Sequence, residues 1–280
     1  MGNVIVIGAG AMGSGIAQTI AQAGYSVCLN DQSKSALEKG LDNIRKGLEL
    51  QEKKGNITGQ EKTEILDRIT LLTDIKDMGE PDLIIESIIE NMDVKKRFWQ
   101  EISPLISPST YLASNTSSLS ITEQASCTPS PEKFIGLHFF NPVPKMELVE
   151  IISGALTSDE TFQWAKEFVS SLGKTGVVVQ ESPGFVFNRL IIPMINDAIK
   201  LYEDGIASAA DIDATLKLGA SHPIGPLALA DFIGLDVVLD IMEYLAKELG
   251  EPKYSPTPLL REMVKDGLLG RKTGKGFYNY

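Results

Sequence analysis

Cysteine and histidine are scarce in this 280-residue chain, which has two of each. Cys28 lies inside a valine-rich segment and Cys127 in a polar one, with no CxxC pair and no metal-ligand spacing. That argues against a disulfide framework and a zinc site, so both are read as reduced thiols and no metal is expected. Long apolar runs are also missing. Asn188, Arg189 and Asp197 interrupt the most hydrophobic C-terminal stretch, short of the roughly 18 to 20 residues that a membrane-spanning helix needs. Positive charge is in deficit: 26 Lys and Arg stand against 37 Asp and Glu, for a net charge of -11. Such a balance disfavours nucleic-acid backbones and anionic membranes, so any anionic ligand has to be captured by a local device. The opening MGNVIVIG has no basic region and no small-residue cleavage site, and Val6 breaks the myristoylation pattern. The expected location is the cytoplasm.

What is present is an ordinary globular composition, 43% apolar and 22% charged, long enough for two domains of roughly 100 to 200 residues each. Short apolar runs with the character of buried parallel strands occur at Asn3 to Ile7, Ser26 to Asn30, Ile69 to Leu72, Asp82 to Glu86, Thr110 to Ala113, Phe134 to Phe139, Leu148 to Ile152 and Gly176 to Val179. Helical patterns separate them, including a long insertion from Lys34 to about Asp67 that is broken near Gly55 and Gly59. Alternation of this kind predicts an α/β fold with a mostly parallel, Rossmann-like sheet. The character changes at Ser182-Pro183-Gly184. Beyond it only helical patterns appear, at Phe185 to Tyr202, Ala209 to Lys217, Leu235 to Leu249 and Pro258 to Lys265. The expected division is therefore 1–183, a dinucleotide-binding domain, and 184–280, an all-helical domain.

The segment VIVIGAGAMGSGIA places Gly8, Gly10 and Gly13 in the G-x-G-x-x-G pattern, with Ala11 and Met12 between. The pattern follows a predicted strand and opens a predicted helix, and Asp31 closes the second strand at about the 20-residue spacing expected of a ribose-binding acid. Gly8 suits the tight turn, Gly10 lets a pyrophosphate approach the backbone, and Gly13 allows close helix packing. A carboxylate at Asp31 would repel a 2′-phosphate, so NAD is favoured over NADP. A glycine-rich turn beside an ordinary strand-end Asp is the alternative.

His138 ends an apolar strand pattern, where a parallel sheet faces its ligand crevice. Glu150 falls on the same face of its strand as Leu148 and Ile152, and a carboxylate there is costly unless paired. A His-Glu pair would resolve that cost and suit proton exchange with a hydroxyl or carbonyl, although a lone His is equally readable as structural. His222, held before Pro223, is read as structural. The polar cluster ASNTSSLSI, residues 113–121, follows another strand; helix capping accounts for at least one hydroxyl, and the rest are candidates for a crevice. Asn188 and Arg189 place polar groups at an apolar helix start.

Taken together, GAGAMGSGIA, SNTSSLSI, GLHFFNPVP, ELVE, SPGFVFNRL, DIDATLKLGASHPIGPLALADFIGLD and GRKTGKGFY closely resemble, in order and spacing, the short-chain L-3-hydroxyacyl-CoA dehydrogenases. The bacterial 3-hydroxybutyryl-CoA dehydrogenases of butyrate and butanol fermentation are the most similar group. The resemblance covers essentially the whole chain. It implies His138 as general acid/base with Glu150 orienting it, and Ser117 and Asn188 at the reacting oxygen or thioester. It further implies Asp31 at the adenosine ribose, and Glu90, Lys95, Ser117 and Asn141 along the rest of the NAD path. Coenzyme A contacts map to around Lys53 and Lys54, and the helical domain is implied to form a homodimer. The chain departs from the pattern at Lys145-Met146-Glu147, where relatives carry a neutral residue and then a basic one; the expected effect is on the crevice rim. A sugar-acid or other β-hydroxyacid dehydrogenase, and a non-catalytic NAD-binding protein, would share the Gly8 to Asp31 region without needing the His-Glu pair.

A last expectation concerns Leu227 to Met242, whose apolar residues come almost consecutively. At helical spacing they cannot all face one core within the chain, so a self-complementary contact with a second copy is expected to cover some; a helix buried on all sides within one subunit is the alternative.

Overall fold

Five of the apolar runs are buried over almost their full length, and their backbone groups are satisfied by neighbouring strands. The computed structural model describes residues 2–280 and divides into two compact units, one ending at Glu181 and the other spanning Ser182–Tyr280. The second begins two residues before the Gly184 boundary read from the sequence.

The first unit is built on one eight-stranded sheet: β1 (Asn3–Ile7), β2 (Ser26–Asn30), β3 (Ile69–Leu72), β4 (Leu83–Glu86), β5 (Tyr111–Ser114), β6 (Phe134–Phe139), β7 (Leu148–Ser153) and β8 (Thr175–Gln180). The spatial order is β3-β2-β1-β4-β5-β6-β7-β8. Every neighbouring pair is parallel except β6 and β7. The chain winds outward from β1 in one direction and resumes at β4 in the other. The point of reversal between β1 and β4 is where open α/β sheets bind ligands.

Helices α1 (Ala11–Gln22), α2 (Lys34–Lys53), α3 (Gly59–Asp67), α4 (Met92–Ile102), α5 (Ile121–Ala125) and α6 (Asp159–Ser171) complete this unit. On one sheet face Val4, Val6, Leu29 and Leu137 pack with Ile16, Ile20, Ile44 and Phe168. Elsewhere Trp99 of α4 meets Phe134 edge-on, with ring centroids 5.0 Å apart, and its indole N–H donates to Gln124. Burying a large side chain such as these is worth about 1.5 to 3 kcal/mol. The insertion between β2 and β3 is two helices, separated at Gly55, whose φ is +73°. Asp82, read as the first residue of β4, instead accepts from the Gly2 and Asn3 amides. Those two bonds hold its carboxyl below the usual carboxylate range.

The second unit contains α7 (Phe187–Glu203), α8 (Ala209–Gly219), α9 (Pro226–Ile233), α10 (Leu235–Leu249) and α11 (Pro258–Lys265). The sequence pattern missed α9, which is short and lies between Gly225 and Gly234. Gly234 at φ +104° separates it from α10. The apolar run is therefore two helices, not one, and Leu227, Leu235, Val238, Ile241 and Met242 are all buried within this unit. Phe232 and Val237 remain exposed.

Two buried aspartates tie the unit together. Asp213 accepts from the Leu227 and Ala228 amides, capping α9, and from the Tyr278 hydroxyl. Burial first, and then that carboxylate, push the Tyr278 phenol above its usual range. Asp231 accepts from the amides of Phe277 and Tyr278. A Cβ on Gly270 would stand 2.3 Å from the Asp231 carbonyl oxygen, and one on Gly276 would stand 2.0 Å from its carboxylate. Two of the three glycines in the GRKTGKGFY segment thus have a packing reason, and the third, Gly274, has φ +77°. His222, read as structural, sits in a turn where its amide donates to Leu216.

Candidate active site

The glycine loop leaves β1 at Ile7, and each glycine answers a different constraint. Gly8 has φ +98°, and a Cβ there would lie 2.5 Å from the Ser87 carbonyl oxygen. A Cβ on Gly13 would lie 1.8 Å from the Gly8 carbonyl, so α1 can reach the strand only with glycine at that position. Around Gly10 no heavy atom comes within 4 Å of the Cβ position. Gly10 is also the N-cap of α1 and supplies no side-chain bond, whereas α2 to α6 are all capped by Ser, Thr or Asn side chains. Open space over an uncapped helix N-terminus is the donor set a pyrophosphate requires. Ala11 and Met12 form its first turn.

Asp31 follows β2, and both its oxygens are held by backbone. Oδ2 accepts from the Ala9 amide at 2.9 Å and Oδ1 from the Ser33 amide at 2.9 Å. It lines a cavity of about 980 Å³ together with Gly8, Lys76, Ile89 and Arg97. The volume is in the range of small-molecule sites.

At the end of β4 stands Glu86, fully buried and in register with Ile7 of β1 and Ser114 of β5. Its Oε1 accepts from Lys95 Nζ at 2.6 Å and from the Ile88 amide at 2.7 Å, and its Oε2 accepts from Ser114 Oγ at 2.6 Å. Lys95, only 1% exposed, also reaches Glu90 Oε2 at 3.3 Å. Glu90 Oε1 accepts from Thr116 Oγ1 at 2.7 Å, the Ser117 amide at 2.7 Å and Ser117 Oγ at 3.0 Å. Burial acts to raise the Glu90 carboxyl, but Lys95 and these donors outweigh it and hold the group below its usual range. Glu90, Lys95 and Ser117 are thus joined in one network, with Lys95 beneath it. Ser120, the last serine of the cluster, caps α5.

His138 and Glu150 are direct cross-strand partners in the single antiparallel pairing, β6 with β7. His138 Nδ1 lies 2.8 Å from Glu150 Oε2, and both side chains are buried. A ring N–H facing a carboxylate donates to it, which fixes the tautomer. Asn115, just past β5, accepts from the Phe139 amide at 2.9 Å and links the Ser117 turn to the strand that carries His138.

Comparison with known proteins agrees with this architecture. The NAD-binding domain of the 3-hydroxyacyl-CoA dehydrogenases matches residues 3–182, and the C-terminal domain of the same enzymes matches 184–280. The chain belongs to the 3-hydroxyacyl-CoA dehydrogenase family. A 3-hydroxybutyryl-CoA dehydrogenase from Clostridioides difficile is 52% identical over 275 residues, 98% of both chains. A probable 3-hydroxybutyryl-CoA dehydrogenase from Deinococcus radiodurans is 49% identical, covering 98% of this chain and 99% of its own. The crystal structure of (S)-3-hydroxybutyryl-CoA dehydrogenase from Ralstonia eutropha superposes with a TM-score of 0.95 at 46% identity, covering 99% of this chain and 98% of that one. As a member of this dehydrogenase family the chain is an oxidoreductase with NAD as its cofactor, and the open, uncapped cradle at Gly10 fits that group.

The remaining sequence-predicted residues of this 3-hydroxyacyl-CoA dehydrogenase fall in three places. Asn141 begins a turn closed by a cis bond to Pro142. It lines a second cavity of about 630 Å³ with Gln18, Asn43, Gln51, Lys54 and Lys145. Lys53 ends α2 and is not on that wall; Lys54, one residue on, is. Asn188 lies in the first turn of α7, in the helical unit, and is buried. The departure at Lys145-Met146-Glu147 sits on the same turn as Asn141, and Lys174 Nζ clips it by donating to the Val143 and Met146 carbonyls at 2.7 and 2.6 Å. Sequence reasoning missed Glu86 and Lys174, and reached Asn115 only as a member of the 113–121 cluster. A charged residue closing the otherwise apolar run LIIE was the one signal for Glu86. Among the described residues no group of three or more His, Cys, Asp or Glu could hold a metal, and no helix is long and apolar enough to cross a membrane.

Proposed function

We propose that this dehydrogenase interconverts (S)-3-hydroxybutyryl-CoA and acetoacetyl-CoA, with His138 exchanging the proton on the C3 oxygen. The observation that carries the reading is the buried 2.8 Å contact between His138 and Glu150 at a strand end. NAD, when bound, carries the hydride to or from C3. His138 holds the proton: with Nδ1 turned to Glu150, Nε2 is the atom assigned to give it to the developing alkoxide or take it from the hydroxyl. Glu150 fixes the ring and its tautomer. Gly8, Gly10, Ala11, Met12 and Gly13 cradle the pyrophosphate, Asp31 takes the ribose hydroxyls, and Glu90 and Asn141 line the rest of the path, with Lys95 held beneath Glu90. Ser117 and Asn188 are assigned to the reacting oxygen and thioester.

The amide-rich cavity beside α2 supports a place for the coenzyme A arm. Its Asn and Gln side chains match the amides of a pantetheine, and Lys54 rather than Lys53 supplies a cation there. The setting proposed for it is the cytoplasm, in butyrate or fatty-acid metabolism. Loss of NADH absorbance on adding acetoacetyl-CoA tests the reaction. Full turnover of a free 3-hydroxy acid with none of the thioester would overturn it.

A second copy of the chain is the proposed partner. Leu190, Leu201, Ile206, Leu218, Phe232 and Val237 of the helical unit are exposed in the single chain, Leu218 to 85%. Soluble monomers seldom leave large apolar patches uncovered, and a two-fold dimer is the commonest solution. Light scattering that returned a 30.4 kDa particle with full activity would overturn the dimer.

A further inference from the structure

Glu86 is the meeting point of a closed ring of polar contacts. One arm runs from its Oε1 to Lys95 at 2.6 Å, from Lys95 to Glu90 at 3.3 Å, and from Glu90 to the Thr116 hydroxyl and the Ser117 amide, each at 2.7 Å. The other runs from its Oε2 to the Ser114 hydroxyl at 2.6 Å, and the same hydroxyl oxygen accepts from the Thr116 amide at 3.2 Å. The two arms converge on Thr116, whose hydroxyl also accepts from the Leu119 amide at 2.9 Å.

We propose that Glu86 is a positioning residue for the cofactor site, fixing the turn at residues 114–119 and so the placement of Ser117. The burial makes this more than ordinary core satisfaction. An uncompensated carboxylate or ammonium at these depths is expensive, so each charge holds the other at one location. Lys95 satisfied by Glu86 alone would leave Glu90 tied only to the turn it grips, and Glu90 alone would leave Lys95 able to follow it toward solvent. With both, the ammonium is a fixed post between a rigid strand end and a more exposed carboxylate, which grips the turn by its side-chain and main-chain donors. Glu86 itself is held in register between β1 and β5, beside the glycine loop, so the post is referred to the same strand ends that place Gly8. The inference rests on NAD lying along Glu90 and Ser117, and it does not depend on the identity of the thioester.

Glu86→Gln keeps the size and removes the charge that anchors Lys95. NADH affinity, measured by fluorescence titration without any acyl substrate, is expected to weaken about tenfold, a 1.4 kcal/mol coupling. In the protein without ligand, hydrogen exchange is expected to quicken at the Thr116, Ser117 and Leu119 amides while the amides of β1 and β4 stay protected. Unchanged NADH affinity, unchanged exchange at the turn, or a uniform loss of protection through β1 and β4 would each overturn the proposal, the last by showing that Glu86 serves the core alone. Should Glu86→Gln fail to fold, Ser114→Ala, which cuts only the second arm, decides. Faster exchange at Thr116 and Ser117 with a few-fold weaker NADH binding supports the ring, and no change in either overturns it. Absence of turnover with acetoacetyl-CoA would break the reading of the substrate and leave this result standing.

Discussion

Glu150 and Glu86 are both buried on the same sheet, and each holds a nitrogen base: His138 at 2.8 Å in one case and Lys95 at 2.6 Å in the other. The first pair is a cross-strand contact between register partners, and its base is an imidazole, which changes charge near neutral pH. The second joins a strand end to a helix, and its base is an ammonium, which stays charged and can only be moved or held. Similar geometry therefore serves different ends: the imidazole pair is suited to passing a proton and the ammonium pair to fixing a position. Burial raises the stakes for both, because a partner removed from either leaves a charge or a polar group without compensation.

Replacing the two bases should separate these roles most clearly. His138→Gln is expected to lower kcat by about 10² to 10⁴-fold while NADH affinity changes little. Lys95→Ala is expected to lower stability by about 3 to 5 kcal/mol in urea titration, because Glu86 is left buried without its ammonium partner. If His138→Gln kept more than roughly a tenth of wild-type turnover, a factor worth about 1.4 kcal/mol, the proton-passing half of the comparison would fail. Glu150→Gln should cost kcat no more than the histidine change and should alter the pH profile, since the ring loses the carboxylate that faces it at 2.8 Å. A profile that keeps its wild-type shape would show that Glu150 is only packing.

A smaller effect tests the ribose carboxylate. Asp31→Ser should narrow the preference for NADH over NADPH by about tenfold in kcat/KM, equivalent to about 1.4 kcal/mol. Comparable efficiency of the unaltered protein with both cofactors would remove the specificity role altogether. The smallest effect concerns Glu90, whose carboxyl is held below its usual range. A depressed folded-state value contributes stability that is fully present above the unfolded value, about 4.3, and is lost as pH falls through the lower folded value. The melting temperature of the unaltered protein should therefore fall further than that of Glu90→Gln as the solution is acidified below about pH 4. Glu90 is 38% exposed, so solvent screening keeps the difference to a few degrees or less. Parallel curves for the two proteins would show that Lys95 grips nothing at that end.

The sheet was legible because its strands are short, almost wholly apolar runs bounded by glycine, proline and polar clusters, a pattern confined to each element. The glycine loop was legible because three backbone constraints fall within six residues. Boundaries slipped where a tertiary bond took over, as at Asp82, which caps the chain start instead of entering β4. The helix α9 was missed because eight residues between two glycines carry too few turns for periodicity to show. The expectation for Leu227 to Met242 rested on helical spacing alone, and the positive φ at Gly234 divides the run into two helices.

By itself the sequence determined the alternation of strands and helices, the cradle at Gly8 to Gly13, and the presence of His138 and Glu150 at strand positions. These depend on spacing along one element, which a pattern of residue types encodes directly. Only the tertiary structure decided that β6 and β7 run antiparallel with His138 opposite Glu150, that Lys95 turns inward to Glu86, and that Lys54 rather than Lys53 lines the second cavity. Each is a matter of register or helix rotation between segments distant in the chain, set by how the whole apolar surface packs. One residue of slip or about a hundred degrees of turn would have given another partner from the same letters.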